Sequence, residues 1–291
     1  MKRSKKFYIR FLLKFGRLYL PEKIYSLILF LRSFKKFKKE INKSKTSTKF
    51  SSNLDKINQF EYKITSQNNE DGIINHIFEK IPNNKYFVEI GFDLYEFNSL
   101  NLIKKGWSGK LLEQNKDECL ALKALLKYFF PKSEIFISSK NILRENINQE
   151  VFSDKNKNII DFFSIDVDGN DYWLLESLDL SRINVICCEY NHWLGNNTKK
   201  TIPYNSDHQF KNNGFWGASL LALHDLLDSK GFSLIAVESS GTNAFFVKKE
   251  FSRYFEILSP TKSWRSVGRF ESEEGEKQIR QNLKNFKFIE V

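Results

Sequence analysis

From residue 62 onward, apolar positions switch repeatedly between two spacings, and the switching predicts a fold. Ile73, Ile74, Ile77 and Phe78 recur at helical spacing within 69–81; Pro82 and Asn83 break the pattern, and the apolar run 86–90 that follows stops at Gly91. That is a helix delivering a buried strand. The unit repeats, with helices expected over 98–105, 116–129, 141–152 and 171–178 and strands over 109–113, 134–138, 159–165 and 183–189. Alternation sustained over this length implies a parallel sheet covered by helices on both faces. A last helix over 218–229 precedes two apolar runs, 232–238 and 242–248, joined only by Ser239, Ser240 and Gly241. So short a connection cannot make a parallel crossover, and the pair is expected to form an antiparallel hairpin. The expected fold class is α/β, a seven-stranded, mostly parallel sheet with a C-terminal antiparallel hairpin, in a domain spanning 54–250.

Residues 1–53 follow a different pattern. Two amphipathic helical segments, 5–19 and 22–39, flank Pro21, with Phe7, Phe11, Leu12, Phe15 and Leu18 in the first and Ile24, Leu27, Ile28 and Leu31 in the second. Lys and Arg interrupt both, so no stretch approaches the roughly 20 apolar residues of a membrane-spanning helix, and neither an unbroken apolar region nor a small-residue cleavage site marks a signal peptide. Basic helices rich in Phe and Leu suit the interface of an anionic membrane, and equally suit packing on the protein body; the pattern over residues 1–40 allows both. Residues 43–53 read as a linker, and 251–291 as a C-terminal extension with a charged helical end and no functional reading.

Charge sharpens that division. The formal net charge of +11 suggests nucleic-acid binding until it is mapped: residues 1–50 hold 16 Lys or Arg against 2 Glu, leaving 30 basic and 33 acidic groups in the rest. A nearly neutral body argues against a nucleic-acid partner. Three cysteines, two of them adjacent at Cys187 and Cys188, make neither a disulfide framework nor metal-ligand spacing and read as buried thiols of a cytoplasmic protein, with peripheral membrane contact as an option.

In open parallel sheets ligands bind outside the carboxyl ends of the strands, and here those ends turn abruptly polar. The first strand ends Glu89-Ile90-Gly91, where the glycine allows a tight turn and the carboxylate can fix that turn or receive an ammonium group. The second ends at Glu113, 22 residues after Gly91, a spacing suited to an acid that accepts both hydroxyls of a ribose. The fourth runs into Asp166-Val167-Asp168-Gly169-Asn170-Asp171, three carboxylates that are costly to crowd together without ligands or donors. Asn170 or Asp171 accounts for itself as a helix cap; Asp166 and Asp168 do not. The fifth ends Glu189-Tyr190-Asn191-His192, with His192 a candidate general base, while His76, His208 and His224 have weaker claims.

These residues resemble the FkbM-type group of S-adenosylmethionine-dependent methyltransferases, which includes enzymes of polysaccharide, glycolipid and natural-product tailoring. The matching stretches are Ser66 to Asp71, Phe87 to Gly91, Ser164 to Tyr172, Glu189 to Asn191 and Asn243 to Val247, in order over about 180 residues. The resemblance implies a Rossmann-like class I methyltransferase fold and S-adenosylmethionine as cofactor. Glu89 and Gly91 would shape the methionine pocket, Glu113 would hold the ribose, Asp166 would face the sulfonium or the acceptor, and Gln67 would approach the cofactor from the preceding segment. The catalytic set is then Asp166, Asp168, Glu189 and His192. Those carboxylates also suit Mg²⁺, but spacing does not decide, and no metal ligand is assigned.

One departure stands out: the second glycine of the usual loop is replaced by Asp93, a side chain where backbone should approach the cofactor. Between strand five and the next helix, 192–215 is rich in Asn, Lys and aromatic residues, including Trp193, Tyr204 and Phe215, with Trp216 just beyond, a composition suited to a sugar. The sequence therefore points to O-methylation of a saccharide, glycolipid or related small molecule, an acceptor met at a membrane surface. A catalytically degenerate, membrane-associated binding protein is the alternative that Asp93 motivates, and a nucleotide-sugar enzyme on a Rossmann fold is the third reading.

Overall fold

The structure is a computed structural model and describes residues 16–47, 51, 54–154, 157–211, 213–266 and 273–291. Its main sheet has seven strands: β1 (Tyr86–Ile90), β2 (Ser108–Glu113), β3 (Ile135–Ser139), β4 (Ile160–Ile165), β5 (Ile183–Glu189), β6 (Phe232–Val237) and β7 (Asn243–Lys248). They lie in the order β3-β2-β1-β4-β5-β7-β6. Neighbours from β3 to β5 are parallel, and β7 runs antiparallel to both β5 and β6. This is the Rossmann-like α/β architecture expected from the sequence. The hairpin folds back so that its second strand, not its first, pairs with β5.

The central strands read as continuous apolar runs because both their faces are buried. Along β1, Tyr86, Val88 and Ile90 enter one core with Leu112, Phe163 and Ile186, whereas Phe87 enters the other with Leu111, Phe162 and Val185. The period-2 alternation of strand side chains thus divides one sheet between two cores. Helices α2 (Glu70–Lys80), α3 (Leu100–Lys104) and α4 (Lys116–Phe129) cover the Phe87 side, and α5 (Ile147–Val151), α6 (Asp171–Ser177) and α7 (Leu220–Ser229) cover the Val88 side.

Two expectations change in detail. The helix expected over 141–152 contracts to α5, because Asn146 accepts the Leu143 N–H (2.8 Å) and donates to the Asn141 carbonyl (3.0 Å), holding 141–146 in a loop. The pattern over 5–19 lies outside the described residues as far as residue 15. The second N-terminal pattern is α1 (Glu22–Ile41), which is docked on α4. Tyr25, Leu29, Ser33, Phe37 and Glu40 are its buried stripe, the Phe34 and Phe129 rings stack at 5.2 Å, and Tyr25 donates to Asp117 (2.8 Å). Among the described residues, no helix is long and apolar enough to cross a membrane. The extension beyond Glu250 folds back: Ile289–Glu290 pairs with Lys200–Thr201, and α8 (Glu273–Leu283) sets Ile279 and Leu283 against Gly214.

Candidate functional site

At the carboxyl edge of the sheet lies a polar cavity of about 400 Å³. Gln67, Glu89, Gly91, Glu113, Asp166, Asp168 and Glu189 all line it; of the sequence-predicted residues only His192 does not.

Gly91 is required by geometry. Its φ is +75°, and a Cβ built there would stand 1.7 Å from the Asp166 carbonyl oxygen. The first turn after β1 therefore lies directly on the turn after β4, a closeness only glycine permits. Glu89 serves to fix that turn: its carboxylate accepts from the N–H groups of Asn98 and Ser99 (2.9 Å each) and from the Ser99 hydroxyl (2.5 Å). Burial raises its pKa to about 7 in spite of these donors. Asp93, the departure from the glycine pattern, sits with its side chain exposed and accepts the Tyr95 N–H (2.8 Å), an Asx-type turn outside the left-handed region. The close approach is made by Gly91, and Asp93 lines the cavity rim.

Glu113 ends β2 and accepts the Asn115 N–H (2.8 Å), while Asn115 in turn caps α4. Burial pushes its pKa up. Gln67 is held at the cavity by its neighbours. Asp71 accepts from the N–H groups of Ile64, Thr65 and Ser66, and Glu70 accepts from Asn68 and, across the fold, from Asn243 on β7 (2.8 Å). The six consecutive polar residues Ser66 to Asp71 thus divide into a scaffold and Gln67, the one of them that lines the cavity.

The turn after β4 is pinned by Asp171, which accepts the N–H groups of Val167 and Gly169 (3.0 Å each). Asp168 adopts φ +54°, a conformation that Asp tolerates better than most residues. Carboxylate oxygens of Asp166, Asp168 and Glu189 come within 4.8 Å of one another, an oxygen set able to hold a hard divalent cation. Burial, then Asp171 and Asp168, raise Asp166 to about 8; burial, then Asp166, Asp171 and Asp168, hold Glu189 well above the usual carboxylate range. The site strongly favours cations or protons here, and Glu189 Oε2 is buried without a hydrogen-bond partner.

His192 falls in a short 3₁₀ turn, buried against Trp193 with ring centroids 4.9 Å apart. The chain leaves the sheet at Glu189. Tyr190 exchanges hydrogen bonds with the Arg265 backbone, and Asn191 donates to the carbonyls of Gly214 and Trp216, so the segment anchors the flanking loops and turns His192 away from the cavity. The histidine that does reach the cavity is His208, whose ring lies over Gly169 so closely that a Cβ there would meet it at 2.3 Å. Burial lowers its pKa, partly offset by Asp168, and its Nε2 is buried without a hydrogen-bond partner. Its sequence position in an aperiodic loop carried no signal. Asn141 is also missed, although the strand-end rule applied to β3 would have found it had 141 not been read as helical.

The aromatic insert reaches the site through its polar residues. Asn170 donates to the Asn205 carbonyl (2.8 Å), bringing Ser206 and His208 over the β4 turn. Its aromatic rings pack elsewhere: Phe215 stacks on Phe286 at 4.7 Å, Arg280 lies over Trp193, and Arg144 lies over Tyr204. All three cysteines are free and buried.

Comparison with known proteins adds to this geometry. Residues 58–234 match the methyltransferase FkbM domain. No curated protein matches the chain significantly in sequence. Among solved structures the chain is similar to the N-terminal domain of EvdMO1 with SAH bound (TM-score 0.44, 12% identity, 75% of this chain and 96% of that one). It is also similar to an S-adenosylmethionine-dependent methyltransferase from Clostridium acetobutylicum (0.40, 10%, 62% and 90%) and to magnesium protoporphyrin IX methyltransferase from Synechocystis with bound SAM (0.36, 8%, 78% and 96%).

Proposed function

Because the chain belongs to the FkbM methyltransferase family, we propose that it transfers the methyl group of S-adenosylmethionine to a hydroxyl of a saccharide, glycolipid or related small molecule. The catalytic unit is taken as 54–250, flanked by 1–53 and 251–291. The observation that carries the reading is the convergence of the ends of β1, β2, β4 and β5 on one acidic cavity with the Gly91 turn pressed on the Asp166 carbonyl. A donor bearing an ammonium and a sulfonium suits walls that penalise their own negative charge.

When bound, S-adenosylmethionine supplies an electrophilic methyl: the acceptor oxygen forms a bond to that carbon as the carbon–sulfur bond breaks, the pair returns to sulfur as a thioether, and the hydroxyl proton leaves to a base. Glu113 offers carboxylate lone pairs to the ribose hydroxyls beyond those it gives Asn115. Asp166 and Glu189 lower the cost of the cationic donor. His208 is assigned as the base: it lines the cavity over the β4 turn, its lowered pKa keeps the imidazole neutral, and Asp168 stabilises the imidazolium once the proton has moved. The protein's further work is alignment, since methyl transfer asks for no covalent enzyme intermediate.

Titration calorimetry of S-adenosylmethionine and S-adenosylhomocysteine into the full chain tests the reading. Micromolar binding is expected, weakened at least about tenfold by Glu113→Ala; with an acceptor found among sugars and glycolipids, His208→Gln should lower kcat by on the order of 100-fold with cofactor affinity retained. A folded parent that binds neither nucleoside overturns the assignment.

A further inference from the structure

Helix α1 has two apolar faces, and packing on the body accounts for one. Tyr25, Leu29, Ser33 and Phe37 face α4. Ile24, Leu27, Ile28 and Leu31 lie on the opposite side at i, i+3, i+4 and i+7; Leu31, for instance, is about 200° round the axis from Leu29. These side chains stand in solvent, Leu27 with 55% and Leu31 with 64% of its surface exposed, and Leu18 and Tyr19, which precede Pro21, are exposed as well. A row of large aliphatic groups held outward on a docked helix is not a cost that a water-facing surface needs to carry.

The charge around the patch selects its occupant. Lys35 and Lys38 continue the same face, four and seven residues beyond Leu31, and Lys23, Arg32 and Lys39 are exposed at its flanks. Both acids of the helix are spoken for elsewhere: Glu22 pairs with Lys116 at 3.0 Å, and Glu40 is buried and paired with Lys43. The outer face is therefore apolar in its first turns and purely cationic in its last, the arrangement of a helix lying in the headgroup region of an anionic bilayer. A second copy of this chain would bring the same cations against themselves, which disfavours a dimer through this face.

We propose that the outer face of α1 docks the protein on an anionic lipid surface. The helix is tied to the site at both ends. Tyr25 bonds to Asp117, the residue before the cavity-lining Glu118, while Lys36 lies over Tyr95 at 3.6 Å and Lys43 pairs with the cavity-lining Glu96 at 3.6 Å. Docking therefore brings the cavity rim close to the membrane, where a lipid-linked acceptor would be presented. The surface is independent of the methyl-transfer reading and is tested without cofactor.

The full chain is sedimented with vesicles of phosphatidylcholine alone or doped with phosphatidylglycerol. The parent should pellet with the doped vesicles and be partly released by salt. The pairs Leu27→Glu with Leu31→Glu and Lys35→Glu with Lys38→Glu should each weaken partition by at least about tenfold, with the thermal midpoint as the control that the exposed substitutions leave the fold intact. Three outcomes overturn the proposal: no pelleting of the parent, leucine variants that pellet like the parent, or light scattering that finds a parent dimer converted to monomer by the leucine substitutions. Each leaves the cofactor titration untouched, so the two readings fail separately.

Discussion

The residue whose requirement the structure makes most specific is Gly91. A methyl group added there faces both the penalty of φ +75° and a backbone oxygen 1.7 Å away that no rotamer can relieve. Gly91→Ala should therefore lower cofactor affinity by more than about tenfold and also lower the thermal midpoint, because two strand-end turns must separate. Gly106 is the control: its φ is +79° but nothing lies within 4 Å of the added carbon, so Gly106→Ala should cost only the left-handed penalty of about 1–2 kcal/mol. Equal effects of the two substitutions on binding would contradict this account of the cradle. The sequence pointed to Gly91 from its place at a strand end. It could not distinguish Glu89 as a turn clamp from Glu89 as a ligand, because that depends on Asn98 and Ser99 arriving with free N–H groups. His208 and His192 show the same limit. Position beside a strand end favoured His192, while a loop crossing back over Gly169 brought His208 to the cavity.

At the scale of elements, periodicity predicted helices well where one face meets the core and poorly where side chains compete for the backbone. The α4 boundaries coincide with the expected 116–129 because Asn115 caps the start and buried leucines recur along one face. The helix expected over 141–152 fails at Asn146, whose amide satisfies the loop instead. For α1 the sequence allowed a lipid face and a protein face, and the structure gives it a protein face on α4 while leaving the second apolar stripe outside. Phe37 anchors the packed side with no exposed surface. Phe37→Ala should destabilise the chain by about 3 kcal/mol, read from the denaturant midpoint, whereas a helix held only by solvent-exposed contacts would lose almost nothing.

For the whole molecule, the decisive feature is that one end of the sheet concentrates acids in a buried place. Glu89 and Glu118 are raised to about 7 and Asp166 to about 8. A folded-state pKa above the unfolded value means that the folded chain keeps a proton that the unfolded chain releases; the stabilisation is complete below about pH 4 and is lost as pH climbs through the folded value. Asp166→Asn has no such proton to lose, so its thermal midpoint relative to the parent should rise between about pH 4 and pH 8 and level off above; a difference flat with pH would show that Asp166 ionises as freely folded as unfolded. The sequence by itself determined the α/β alternation, the closing hairpin, the concentration of positive charge in residues 1–50, and the edge of the sheet at which chemistry gathers. It could do so because burial imposes the strand and helix periods locally, and because a parallel sheet sends every strand end to the same side. Tertiary structure alone decided which acids clamp turns and which face the cavity, which histidine reaches it, and that the insert contributes Ser206 and His208 while Trp193 and Phe215 pack on the C-terminal extension. Those outcomes depend on contacts between residues far apart in the chain, and no local spacing encodes them.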